Sequence, residues 1–171
     1  ALFAECITAL YAISYAIKMT PKKSPELGPA GYHDYTVYPL EGLWDINEKA
    51  KKNYDGTLNK DDLVFKIMIR QPDFVDEAFF QKMLGITKSK KPHELLNQLK
   101  FEKITDGKCV QMLHIGSYDD EPASFNQMEA FAAEQKLNRV SKVHREIYLS
   151  DFRKVPADKL KTVLRFKVQD Q

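Results

Sequence analysis

The chain has 171 residues, the size of one domain or of one domain built from two related halves, and a chain of that length buries about 70% of its unfolded surface without cross-links. Lysine and arginine number 26, aspartate and glutamate 24, a net charge of +2 with both signs interspersed; this is not the segregated basic surface of a direct nucleic-acid binder. The composition, 43% hydrophobic with 7 Gly and 8 Pro, is globular, and two cysteines, Cys6 and Cys109, outside any CxxC pair, build no disulfide framework, so the cytoplasm is the expected compartment.

Over 1–19, Leu2, Phe3, Cys6, Ile7, Leu10, Ile13 and Ile17 recur at three- and four-residue spacing, which predicts a helix with one buried face. Its uncharged run, 6–17, falls short of the roughly 20 apolar residues of a membrane span, and it lacks the basic leader of a secretory signal. Pro21, Pro25 and Pro29 predict a surface loop over 21–31. The aromatic and β-branched stretch 32–46, broken by Pro39 and Gly42, reads as two short strands or one bulged strand. Polar residues and an Asp55-Gly56 turn make 48–62 an exposed connection. Leu63, Phe65, Ile67 and Ile69 alternate with Val64, Lys66, Met68 and Arg70, a strand with one buried face that Pro72 stops.

Helices are predicted over 76–84 and 92–99, the second with Pro92 in its first turn. A strand follows over 108–115. Asp119 and Asp120 are candidate caps for a helix that runs to about residue 137 on Phe125, Met128 and Ala132. Strands over 142–149 and 161–168 close the chain. The second half thus reads strand, helix, strand, strand, and the first reads helix, strand, strand. This predicts an α+β domain of duplicated β-α-β-β units, about 1–100 and 101–171, giving one antiparallel sheet with helices on one face. The counterpart of strand 108–115 is expected ahead of Ala1, where the helix begins without a capping residue.

No Walker loop, GxGxxG, GxSxG or HExxH occurs. His33, His93, His114 and His144 show no metal-ligand spacing, so no metal and no cofactor is expected. The informative segment is 144–151, HREIYLSD. On a strand, His144, Glu146 and Tyr148 share one face and Arg145, Ile147 and Leu149 the other. That face is either a solvated surface with cross-strand pairs or the lining of a cavity, where an apolar wall fits Glu146 for acid or base work. Tyr32, Tyr35, Tyr38 and Trp44 concentrate around Pro39–Gly42. They are core and rim, or walls for a flat or cationic ligand, each worth about 0.5–2 kcal/mol. Met68, Met112 and Met128 are adaptable packing for core or pocket.

The segments YPLEGLWDI (38–46), KIMIRQPDFV (66–75), HIGSYDDEPASFNQMEAF (114–131) and HREIYLSDFRKV (144–155) together resemble the GyrI-like small-molecule-binding domain, related to the drug-binding domains of MerR- and AraC-type regulators. The resemblance implies two β-α-β-β units facing each other across a pseudo-twofold groove that takes aromatic, often cationic, compounds. It matches the family's central glutamate to Glu146 and its EG-x-W segment to Glu41 and Trp44. Tyr32, Tyr38, His144 and Met68 are the further candidates for ligand contact.

Members of that family serve as effector domains of regulators, as gyrase-binding inhibitors, or as hydrolases of cyclopropane-bearing DNA-alkylating toxins, and this stand-alone chain looks most like the last. The expectation is then a hydrolase with Glu146 as general base, Trp44 with Tyr148 or Tyr32 holding the planar ligand, and a phenol donating to the developing oxyanion. The alternatives are a binder of flat cationic drugs with Glu146 as counter-charge, or a gyrase-interacting protein.

Overall fold

The computed structural model describes residues 2–171, and Ala1 lies outside them. By internal packing the chain divides into two compact units, Ala1–Pro39 with Met68–Ile104, and Leu40–Ile67 with Thr105–Gln171. This is a division by packing; the duplicated halves are a proposal about repeat structure.

The first unit is helical. Helix α1 (Leu2–Lys23) buries Ala9, Ile13 and Ile17 against Phe79, Phe80, Met83 and Leu84 of α3 (Glu77–Lys90). By length and composition α1 is apolar enough to cross a membrane; here its stripe packs on α3. It extends past residue 19 and takes in Pro21, which is buried, and the next turn closes with Ser24 N–H on Thr20 O at 2.8 Å.

Helix α3 opens where Asp76 accepts the Phe79 amide at 2.8 Å. It continues beyond residue 84 through Gly85. A mid-helix glycine costs about 0.5–1 kcal/mol, which burial of Phe79, Phe80, Met83 and Leu84 outweighs. Residues 92–99 form no α-helix but a 3₁₀ turn, Glu94–Gln98, entered where His93 Nδ1 accepts the Leu95 amide. Residues 32–39 form no strand. Their aromatics serve local packing instead: the Tyr32 hydroxyl donates to Lys18 O at 2.6 Å, and Lys18 and Lys22 both pair with Asp34.

The second unit carries the sheet. Strands β1 (Leu40–Ile46), β2 (Leu63–Ile69), β3 (Cys109–Ile115), β5 (His144–Tyr148) and β6 (Lys161–Asp170) lie in the order β2-β1-β5-β6-β3, and β4 (Leu137–Arg139) pairs with β6, six strands in one antiparallel sheet. The last two residues of β2 are assigned to the first unit. The short helix α2 (Glu48–Lys52) begins the exposed connection between β1 and β2. The α+β expectation therefore holds, with β4 and α2 added to the predicted elements.

Period-two burial sets the sheet's faces. Thr162, Leu164, Phe166 and Val168 alternate inward along β6, and Val110 does so from β3. Met128 and Ala132 of α4 (Glu121–Glu134) close over them as one core. Asp119 and Asp120 are not the side-chain caps: Ser117 accepts the Asp119 amide, and the Asp120 side chain makes no capping bond.

Candidate active site

The antiparallel register of β1 with β5 places Gly42 opposite Glu146 and Trp44 opposite His144. Glu146 in turn faces Leu164 of β6, so His144, Glu146 and Tyr148 stand on the face that α4 covers. Sequence alternation puts these three side chains on one face; that α4 covers this face comes from the fold. What it could not supply is the wiring between the side chains.

Glu146 is 8% exposed, and a donor holds each of its oxygens. His144 Nε2 donates to Oε1 at 2.9 Å and the Tyr148 hydroxyl to Oε2 at 2.7 Å. Tyr148 Oη accepts from Trp44 Nε1 at 2.8 Å, giving a relay from indole to phenol to carboxylate. Gly42 makes the relay possible: a Cβ there would lie 2.6 Å from Trp44 Nε1 and 3.0 Å from Tyr148 Oη. Aromatic rings enclose the cluster. Phe125 stands edge-on to His144 at 4.7 Å, Tyr118 to Tyr148 at 6.1 Å, and Phe65 lies 5.6 Å from Trp44.

Electrostatics follow from this burial. Desolvation, then the Glu146 charge, push the Tyr148 phenol far above its ordinary range, so it stays a proton donor. The same causes, in the same order, raise Tyr118. Glu121, the first residue of α4, is 7% exposed, and its carboxyl lies far above the usual carboxylate range because it is buried and faces Glu146. One oxygen each of Glu121 and Glu146 and one nitrogen of His144 all fall within 4.8 Å of one another. These donor types suit a divalent cation. The hydrogen bond from Nε2 to Glu146, however, already spends the histidine on the carboxylate, and the cluster reads as a hydrogen-bonded one.

The structure thus brings Trp44, His144, Glu146 and Tyr148 together. Glu41 does not join them. One residue out of register with Gly42, it points to the opposite sheet face and pairs with Arg145 at 3.4 Å. Tyr32, Tyr38 and Met68 belong to the other compact unit or its end of β2. There Tyr38 lies under the Arg70 guanidinium at 5.3 Å, beside an open hollow of about 300 Å³ lined also by His33 and Phe74. Sequence reasoning missed Glu121, Tyr118 and Phe125. An acidic residue in a first helical turn ordinarily faces water, and Glu121 hides behind two other acids, Asp119 and Asp120, in the same turn.

Comparison with known proteins gives a consistent picture. Residues 9–169 match the GyrI-like small molecule binding domain. A solved structure of an uncharacterized conserved protein from Listeria innocua is similar at 32% identity and TM-score 0.85, covering 99% of this chain and 81% of that one. Two solved structures described as hydrolases from Listeria innocua are similar at 32% and 33% identity, TM-scores 0.83 and 0.84. They cover 98% of this chain and 79% and 80% of theirs. No curated protein matches.

Proposed function

The chain belongs to the GyrI-like small molecule binding domain family, and on that footing we propose that it hydrolyses cyclopropane-bearing, DNA-alkylating small molecules with Glu146 as general base. The observation that carries this reading is the buried Glu146 carboxylate, fixed from both sides by His144 and Tyr148 at 2.9 and 2.7 Å. Two donors orient it and leave lone pairs to take a proton from water. The hydrolase description of the Listeria structures supports the reaction class. Two unpaired cysteines accord with a reducing cytoplasm as its setting.

In this mechanism the aromatic surroundings, Trp44, Tyr118 and Phe125 among them, stack against a planar ligand and exclude bulk water. Glu146 draws a proton from a water aimed at the strained ring carbon, and general-base action of this kind contributes about 10²–10⁴-fold. Release of ring strain supplies much of the driving force. Glu146→Gln is expected to keep ligand affinity and lose turnover by about 10²-fold or more. Equal hydrolysis by wild type and variant would contradict the assignment.

The same buried carboxylate amid aromatic rings favours a second reading, sequestration of flat organic cations without chemistry. Under it Glu146→Gln weakens cationic ligands far more than neutral ones, and no product accumulates.

A further inference from the structure

The developing oxyanion needs a proton donor, and the phenol nearest Glu146 cannot serve without dismantling the site. Tyr148 gives its proton to Glu146 Oε2 at 2.7 Å and uses its oxygen to accept from Trp44 at 2.8 Å. His144 Nε2 is likewise committed to Glu146 Oε1. A different proton source is therefore required, and the cluster contains one.

Glu121 presents a second carboxyl within 4.8 Å of the Glu146 oxygen and the His144 nitrogen. It is more than nine-tenths buried, and its Oε1 is sealed from solvent without a hydrogen-bond partner. The two carboxyls differ in what holds them. Donors fix both oxygens of Glu146, whereas Glu121 Oε1 is buried without a hydrogen-bond partner, and two carboxylates this close in a buried site do not both ionise. The titratable groups facing Glu121 are His144 and Glu146 from β5 and Tyr118 from the turn before α4. The arginines of two neighbouring strands are paired elsewhere: Arg139 of β4 with Glu129, and Arg145, on the other sheet face, with Asp106 and Glu41.

We propose that Glu121 and Glu146 form a one-proton carboxyl pair in which Glu121 holds the proton and is the acid of the site. The catalytic part of this rests on the hydrolase reading. Water gives a proton to Glu146, and the water oxygen bonds to the ring methylene. The cyclopropane C–C bond breaks, and its electron pair moves through the conjugated ring to the carbonyl oxygen. That oxygen takes the proton of Glu121. One water is added to the substrate, and the proton now on Glu146 returns to Glu121 across the pair. No oxidant, metal or co-reactant enters.

Infrared difference spectroscopy of the free protein at neutral pH reads the proton directly, through the C=O stretch of a protonated buried carboxyl. The expected band is present in wild type, shifted in D₂O and absent from Glu121→Gln. A wild type without the band, a band that survives in Glu121→Gln, or a stoichiometric divalent metal in the same sample in place of the proton would each overturn the pair. With a cyclopropanoid substrate, Glu121→Gln is expected to bind normally and lose about 10²-fold or more in kcat. The alkaline limb of the wild-type pH profile should be missing from its residual activity. Full activity of Glu121→Gln overturns the acid role. A band without hydrolysis by wild type leaves the proton pair standing and removes the hydrolase reading instead.

Discussion

Single residues decide whether the site exists. Gly42 sits in an ordinary strand, and its lack of a side chain matters only because Trp44 and Tyr148 meet where its Cβ would be. Gly42→Ala is expected to break the Trp44–Tyr148 bond and cost about 1–3 kcal/mol by overpacking. Trp44 is the only tryptophan, so its emission reports the break; unchanged emission and stability would contradict the role given to Gly42. The segment around Gly42 was legible as a motif but not as a steric requirement, because the colliding atoms come from residues 44 and 148.

Arg145 shows the same limit. Alternation places it on the outer face, yet it is buried, and the register sets it directly opposite Arg165. Like charges in that position repel. Asp106 resolves the conflict by accepting from Arg145 Nε and Nη2 at 3.1 and 2.9 Å and from Arg165 Nη1 at 2.9 Å. Asp106→Ala is expected to cost about 3–5 kcal/mol in chemical denaturation, as when a buried pair loses one partner. Asp151→Ala, which removes a more exposed, solvent-screened pair with Arg153, should cost far less. Equal losses would mean that Asp106 does not separate the arginines.

At the scale of elements, period and register carried most of the fold. The strands 63–70, 108–115, 142–149 and 161–168 were readable because one face of each alternates apolar side chains. The end of α4 was not, since the chain leaves the helix at Lys136 with φ 56°, in the left-handed region that glycine usually marks. β4 follows at once and is too short to show a pattern. The link between β3 and α4 was equally hidden: His114, 4% exposed, bonds the Ser124 hydroxyl through Nδ1 and Ser117 O through Nε2, both at 2.8 Å. Ser124→Ala strands that imidazole nitrogen and should cost about 1–3 kcal/mol. A thermal midpoint equal to wild type would show that the bond contributes nothing to holding α4 on the sheet.

For the whole molecule, the buried carboxyl pair is a stability cost held in place by the surrounding fold. A carboxyl whose folded pKa is raised binds its proton more tightly in the native state. Its stabilising contribution is complete below the ordinary value of 4.5 and is lost as pH rises toward the raised one. Glu121→Gln is therefore expected to match wild type near about pH 4 and to exceed it in thermal midpoint near neutrality, the sign of a site that trades stability for function. Asp106 acts in the opposite sense. Burial pushes its carboxyl up, but Arg145 and Arg165 overcome that and hold it below the usual range, so its contribution is present above pH 3.8 and fades as acid protonates it.

The central claim concerns chemistry at Glu146, and one measurement meets it most directly: mass spectrometry of a cyclopropane-bearing alkylator after incubation with wild type and with Glu146→Gln. The expected result is a gain of one water with wild type and unchanged compound, still bound, with the variant. Unchanged compound with wild type, or the same hydrated product from both, would contradict it.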